Sequence, residues 1–263
     1  MPEGHTVHRI AIDHSKVLRG KHVAVSSPQG RFSADAALVD GVRLNRIEAY
    51  GKHLFYSWAN GLVGHVHLGL FGKFRVHSGS APLDAPTVRM RLAVPKATVD
   101  LTGPTDCAIG TTEDRDRIVQ RLGPDPLRDD ADPRRAFESI TRRTAPIGQL
   151  LLEQKVMSGI GNVYRAEALF VNGIHPGRPG VEITPDVFDA LWATMVDMLR
   201  QGVADDRIIT LDRDEFELPN GATRRGENTY VYHRDRCLRC GVPILTVDLG
   251  GRPCYYCPVC QPG

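Results

Sequence analysis

Four cysteines form two C-x-x-C pairs, Cys237/Cys240 in CLRC and Cys257/Cys260 in CPVC, with residues 241–256 between them. Two thiol pairs at that separation suit one tetrahedral zinc ion, and a shell of four sulfurs leaves no position for water. The chemistry expected there is structural: one Zn2+ joining two short knuckles. Cys254 and Cys107 fall outside this register and are read as non-ligands. At the other end of the chain, Pro2 follows the initiator methionine and Glu3 follows Pro2. With Met1 removed, Pro2 presents a secondary amine beside a carboxyl group. Model α-amino groups titrate at about 7.7–8.0, so a useful fraction is an unprotonated nucleophile at neutral pH. The plainer alternative is that a small residue lets the methionine be clipped and the glutamate is solvated.

Two further stretches have phosphate-binding character. In QKVMSGIGNVYRAEAL (154–169), Gly159 and Gly161 permit a tight backbone approach, and Asn162 stands where a second helix begins. A helix start with unpaired amides and a side-chain donor suits a phosphate. It equally suits an ordinary helix start in a helical hairpin with glycines for packing. In TVDLGGRPCYY (246–256) a hairpin turns at or near Gly250-Gly251-Arg252. Arg252 is there either to fork onto a phosphate or as a solvated turn residue.

Elements must carry these groups. Val7, Ile10, Ala11, His14, Val17 and Leu18 share one face of a helix over 6–19, with Gly20 as its stop. Residues 22–101 read as short strands with turns, including a hairpin at Asn60-Gly61 and the period-2 run VRMRLAV (88–94). GPDPLRDDADPRR (123–135) is the linker candidate. From 135 to 202 the pattern is helical. Val163, Ala166, Leu169 and Phe170 give the face after Asn162, and a last helix runs from Thr184-Pro185 through Leu191 and Met195 to Gly202. Residues 210–228 are polar and aperiodic, the expectation being a mobile loop.

Bulk properties set limits. The chain has 263 residues, 41% hydrophobic and 24% charged, mean hydropathy −0.24 and formal charge +2. That length buries a core and suits two or three domains. No apolar run approaches the roughly 20 residues of a membrane span. His5, His8, Arg9 and Asp13 interrupt any leader-like start, so a cytoplasmic location is expected and the six cysteines are read as reduced. A charge of +2 neither demands nor excludes a nucleic-acid partner.

PEG at the N-terminus, YGKHL (50–54), HLGLFG (67–72), QRLGPDPL (120–127), QKVMSGIGNVYRAEALF (154–170) and GRPCYYCPVCQ (251–261) occur in this order. Together they resemble the formamidopyrimidine-DNA glycosylase / endonuclease VIII family, from the first residues to the last. The resemblance implies an α+β chain of three parts. These are an N-terminal antiparallel β-sandwich with flanking helices (1–125), a helix–two-turn–helix domain (135–225) and a C-terminal zinc-ribbon hairpin (229–263). It implies a monomer acting on damaged DNA, with no membrane and no small-molecule cofactor. The activity implied is that of a bifunctional DNA glycosylase and abasic-site lyase of base-excision repair.

By the same resemblance, Pro2 forms a Schiff base that expels the damaged base, and Glu3 shuttles protons during sugar-ring opening. Lys52 donates the proton in β-elimination and Arg252 serves δ-elimination. Asn162 grips a phosphate, and Arg121 contacts DNA. A base must leave the stack before attack. Leu70 and Phe71 either wedge into the vacated stack or belong to the sandwich core. PEG and the Leu-Phe pair are nearer the endonuclease VIII branch, which acts mainly on oxidised pyrimidines. That branch commonly has a second glutamate where this chain has His5-Thr6, a departure that bears on lesion preference and on action at abasic or single-stranded sites. The rival readings are a zinc-ribbon damage-binding protein without chemistry and an N-terminal-proline enzyme acting on small carbonyl compounds.

Overall fold

The structure, a computed structural model of the chain, describes residues 2–82, 84–212, 214–216 and 226–263. Most of the loop expected over 210–228 therefore lies outside the described residues. The chain divides into two compact units, one of residues 1–3 and 7–121 and one of residues 4–6 and 122–263.

The first unit is an antiparallel sandwich. Helix α1 (Gly4–Leu18) begins two residues before the apolar periodicity does, because Glu3 takes an extended conformation and serves as N-cap. Strand β1 (Ala24–Ser26) and helix α2 (Ser33–Val39) follow. Then come β2 (Leu44–Tyr50), β3 (His53–Trp58), β4 (Val63–His67), β5 (Lys73–Ser78), β6 (Val88–Val94), β7 (Ala97–Thr102), β8 (Asp106–Gly110) and α3 (Thr112–Gln120). The strands form two sheets of order β1-β6-β7-β5 and β2-β3-β4-β8. Both give alternate residues to one core, Leu92, Val99 and Leu101 from one sheet and Leu54, Tyr56 and Val66 from the other. Val7, Ala11, Leu18 and Val39 join from the helices. Burying each such aliphatic side chain contributes about 1.5–3 kcal/mol. The alternation expected in β6 is broken at Arg91, which is buried because Asp100 on β7 takes its guanidinium at two points, 2.7 and 2.8 Å.

The second unit is helical at its centre. It contains α4 (Pro133–Thr141), α5 (Ile147–Leu150), α6 (Asn162–Val171), a short 3-10 turn (Gly180–Glu182) and α7 (Pro185–Asp205). The hairpin β9 (Leu245–Asp248) and β10 (Pro253–Tyr256) completes it. One sequence expectation needs correction. Gly202 does not end α7, which continues to Asp205; a Cβ at Gly202 would lie 2.2 Å from the Tyr164 hydroxyl, so the glycine answers a close approach. The linker candidate from 123 follows directly on the boundary between the two units, and its first residues are held inside. Residues 122–126 are buried, the Gly123 amide donates to Gln154 O at 2.9 Å and Pro124 O accepts from Ser158 at 3.1 Å. Proline and aspartate mark it as irregular chain, but irregular chain can be held inside when its backbone groups find partners. Among the described residues no helix is long and apolar enough to cross a membrane.

Candidate functional site

In the first unit, Pro2 is half-buried and Glu3 wholly so. Although Glu3 is the N-cap residue of α1, its side chain makes no capping bond to that helix. A buried carboxylate beside the α1 N-terminus sits in favourable field. Lys52 lies in the β2–β3 turn, directly after Gly51, whose φ of 57° is the left-handed value that glycine takes without cost. Leu70 and Phe71 stand in the loop after β4 and are 55% and 84% exposed, which removes them from the core, whereas Leu68 is buried. The loop is pinched by a Gly72 N–H to Leu68 O bond of 2.9 Å, and a Cβ on Gly72 would lie 2.3 Å from that oxygen. Two apolar side chains are thereby presented to solvent on a tight turn. Arg121, the C-cap of α3, is exposed.

In the second unit, Gly4–Thr6 join the glycine-bearing turn. The Gly4 amide donates to Gly159 O at 2.8 Å, and a Cβ on Gly4 would meet Gly159 Cα at 2.9 Å. Gln154 braces the turn, accepting from Gly159 N–H at 3.0 Å and donating to Ile160 O at 2.9 Å. His5, in the position of the departure noted in the sequence, is buried and meets Tyr164 edge-on at 5.3 Å. Asn162 opens α6 behind the N-cap Gly161. Its side chain donates to Pro253 O at 3.0 Å and accepts from Arg165, leaving one amide hydrogen for a further acceptor. The hairpin turns through Gly250 and Gly251, both with positive φ, as a two-residue loop needs. Arg252 stands directly before the return strand β10, half-buried.

Two residues that the sequence reading passed over organise this region. Arg165 is fully buried and holds a set of backbone carbonyls. It donates to Gly148 O and Leu249 O at 2.9 Å, to Pro253 O at 3.2 Å and to Arg252 O at 3.3 Å. A buried guanidinium thus ties α5 and both sides of the hairpin loop to the first turn of α6. Two residues on, Glu167 is also fully buried. It accepts from the amides of Tyr230, Val231 and Tyr232 at 2.6, 2.9 and 2.8 Å and from the Thr210 hydroxyl. Burial raises its pKa against the pull of those donors. Glu167→Gln would turn an amide NH2 toward backbone N–H groups. The expected outcome is a loss of about 3 kcal/mol in the denaturant stability of the second unit; an unchanged midpoint would show that the clasp adds nothing.

The four sulfurs of Cys237, Cys240, Cys257 and Cys260 lie within 4.8 Å of one another. Cys237 and Cys260 are 3.8 Å apart and Cys240 and Cys257 3.4 Å, too far for disulfides. Zinc–sulfur bonds of about 2.3 Å in a tetrahedron require sulfur separations of about 3.8 Å, so the set fits a metal ion of that kind. Among the described residues this is the metal-competent cluster; Cys254 is buried against the core and Cys107 half-buried on β8.

Comparison with known proteins supplies the context. Residues 1–105 match the formamidopyrimidine-DNA glycosylase N-terminal domain and residues 122–213 the formamidopyrimidine-DNA glycosylase H2TH domain. The chain is 46% identical to "Endonuclease 8 1" of Mycobacterium tuberculosis, over 99% of this chain and 100% of that one. It is 33% identical to the "DNA-(apurinic or apyrimidinic site) lyase Nei2" of Mycolicibacterium smegmatis, over 99% of each. The Lactococcus lactis Fpg in complex with DNA containing N7-benzyl-Fapy-dG superposes with a TM-score of 0.82 over 100% of both chains. At 21% identity that likeness speaks for the fold alone.

Proposed function

The chain belongs to the formamidopyrimidine-DNA glycosylase family, and from that premise we propose how its own residues carry out base excision and strand cleavage. It is a DNA glycosylase and abasic-site lyase of the endonuclease 8 kind. The observation that carries the assignment of chemistry is the pairing of Pro2 with the wholly buried Glu3 carboxyl. The freed Pro2 nitrogen attacks C1′ of the extruded nucleotide as the base departs. Glu3 passes a proton to the ring oxygen, and the open sugar is left as an iminium. That positive nitrogen acidifies C2′, and β-elimination breaks the C3′–O bond with Lys52 supplying a proton. Arg252 serves the following δ-elimination, and Leu70 and Phe71 fill the space the nucleotide leaves.

The substrates in this reading are oxidised pyrimidines. Because His5-Thr6 replaces a second carboxyl, a lyase acting chiefly at abasic sites is the second reading. Nicking of single-lesion oligonucleotides, duplex and single-stranded, separates them. Cleavage at thymine glycol or dihydrouracil faster than at 8-oxoguanine is expected. Cleavage confined to abasic sites would leave only the lyase. The four-cysteine cluster holds zinc, which when bound fixes the two knuckles and with them the Arg252 hairpin.

Phosphate contacts predict a second result. Arg252→Ala weakens binding to DNA carrying an abasic-site analogue by on the order of tenfold and lowers the slope of log K against log salt by about 1. Asn162→Ala weakens it comparably without changing the slope, since an amide displaces no counterion. Affinities equal to wild type in both variants would remove these two residues from the interface.

A further inference from the structure

In the second unit, the segment 226–234 is held from both sides. Glu167 takes the amides of Tyr230, Val231 and Tyr232, and the Thr229 hydroxyl lies 2.9 Å from Gly226 O and from Tyr232 O. Arg234 donates to Thr229 O and Glu227 O at 2.7 Å. Between these anchors the backbone turns at His233 with a φ of 57°, in the left-handed region. Gly226 lies against the turn, where a Cβ would come 2.7 Å from His233 O. Among the described residues fourteen glycines have positive φ, and the two other residues that do are Asp206 and His233. Asp206 closes α7, a usual place for that conformation. No helix ends at His233. A glycine would turn there without cost, whereas a histidine, though it tolerates the region better than most side chains, pays for it in strain. What the histidine adds at that turn is its ring.

That ring is exposed and rests on two tyrosines. Its centroid is 4.6 Å from Tyr232 with the planes at 84°, and 4.7 Å from Tyr255 at 42°. Tyr232 is buried in an apolar cluster with Phe170, Tyr230 and Val231, and Tyr255 packs against that cluster; the imidazole lies outside it. The Tyr255 hydroxyl is 3.1 Å from His233 Nε2 and 3.3 Å from Nδ1. Donating to one nitrogen, the hydroxyl places the ring's proton on the other, so the imidazole carries an N–H donor. Tyr255 stands two residues after Pro253 in β10, about 7 Å along the strand. The Pro253 carbonyl is the one that takes the Asn162 amide.

We propose that His233 is a further DNA-binding residue, its imidazole N–H donating to a backbone phosphate that adjoins the one held by Asn162 and Arg252. The proposal rests on the reading of those two residues as phosphate contacts. A phosphate oxygen suits the donor, because an acceptor that carries charge gives a shorter and stronger bond. A ring seated on two packed tyrosines also loses little freedom when DNA arrives, unlike a long lysine or arginine side chain. Arg234 and Arg236, on either side of Asp235, donate to backbone carbonyls, so the contact falls to the imidazole.

The test uses His233→Gly, which removes the ring and gives the turn the residue that strains it least. On DNA carrying an abasic-site analogue, affinity should fall by on the order of tenfold while the denaturation midpoint stays at or above that of wild type. Duplexes with a single methylphosphonate in place of one phosphate locate the contact. Wild-type protein should bind one of them more weakly where His233→Gly is indifferent, and that phosphate should adjoin the position to which Asn162→Ala is indifferent. Wild-type affinity in His233→Gly would overturn the proposal. So would an affinity and a midpoint that fall together, the mark of a ring that only packs, or a methylphosphonate profile identical to wild type. The underlying reading fails separately. Asn162→Ala and Arg252→Ala that bind as wild type does would remove the phosphate contacts themselves, whereas weakening in both with His233→Gly unaffected removes His233 alone.

Discussion

Protein made with a cleavable N-terminal extension should form no borohydride-trapped adduct with abasic-site DNA until proteolysis exposes Pro2, whereupon trapping appears. The reason is elementary. In the extended chain the Pro2 nitrogen is an amide whose lone pair is delocalised into a carbonyl, and it cannot attack a sugar carbon. Removing the nucleophile of a covalent catalyst costs several orders of magnitude, about 10⁶ in the serine-protease case. The expected fall in adduct is at least about 10³-fold. Retained initiator methionine has the same effect, so mass spectrometry of active material should find a chain starting at Pro2. Glu3→Gln separates the carboxyl from the amine: base excision falls sharply while trapping at a preformed abasic site persists. An extended, uncleaved protein that trapped as well as the matured one would refute the assignment of the nucleophile.

The sequence exposes those parts of the site that depend on residue type alone. The cysteine pairs stand out by spacing alone, whereas a proline after methionine and a Leu-Phe pair each had a plainer reading and gain weight only from the ordered set of motifs around them. Arg165 and Glu167 were invisible for a physical reason. In a helix reading YRAEAL, two charges normally mark the solvated face. In α6, however, eight residues are buried, so the helix has almost no solvated face and its charges turn to backbone groups of other segments. Gly202 misled in a similar way. A glycine near the end of a periodic run reads as a stop, while its actual cause, the Tyr164 hydroxyl, comes from a helix far away in sequence. The grouping of His65 and His67 with His53 and Asp106 also escapes notice, since alternate histidines in β4 are an ordinary strand pattern until β3 and β8 set those two residues beside them. What alternation and spacing omit is which distant segment comes to rest on each face.

Stripping the metal proposed for the four-cysteine cluster is expected to have the second large effect, the loss of DNA binding by at least about 100-fold, with unfolding that begins in the ribbon. The strands β9 and β10 have four residues each, and an isolated two-stranded hairpin is marginal in water. A four-thiolate zinc site contributes roughly 10–16 kcal/mol of apparent binding free energy to folding, far more than so small a sheet supplies. Loss of the metal also propagates inward. Once the hairpin loosens, Arg165 loses the carbonyls of Leu249, Arg252 and Pro253 while keeping Gly148 O and the Asn162 side chain, and a buried guanidinium that loses acceptors is destabilising. Cys240→Ser should therefore reproduce chelation, whereas Cys107→Ser should keep one metal ion per chain and wild-type affinity. Chelated protein, shown metal-free by elemental analysis, that binds abasic-site DNA as before would mean that Arg165 and Glu167 hold the ribbon without help. In that case the cysteine cluster would not be what fixes the Arg252 hairpin.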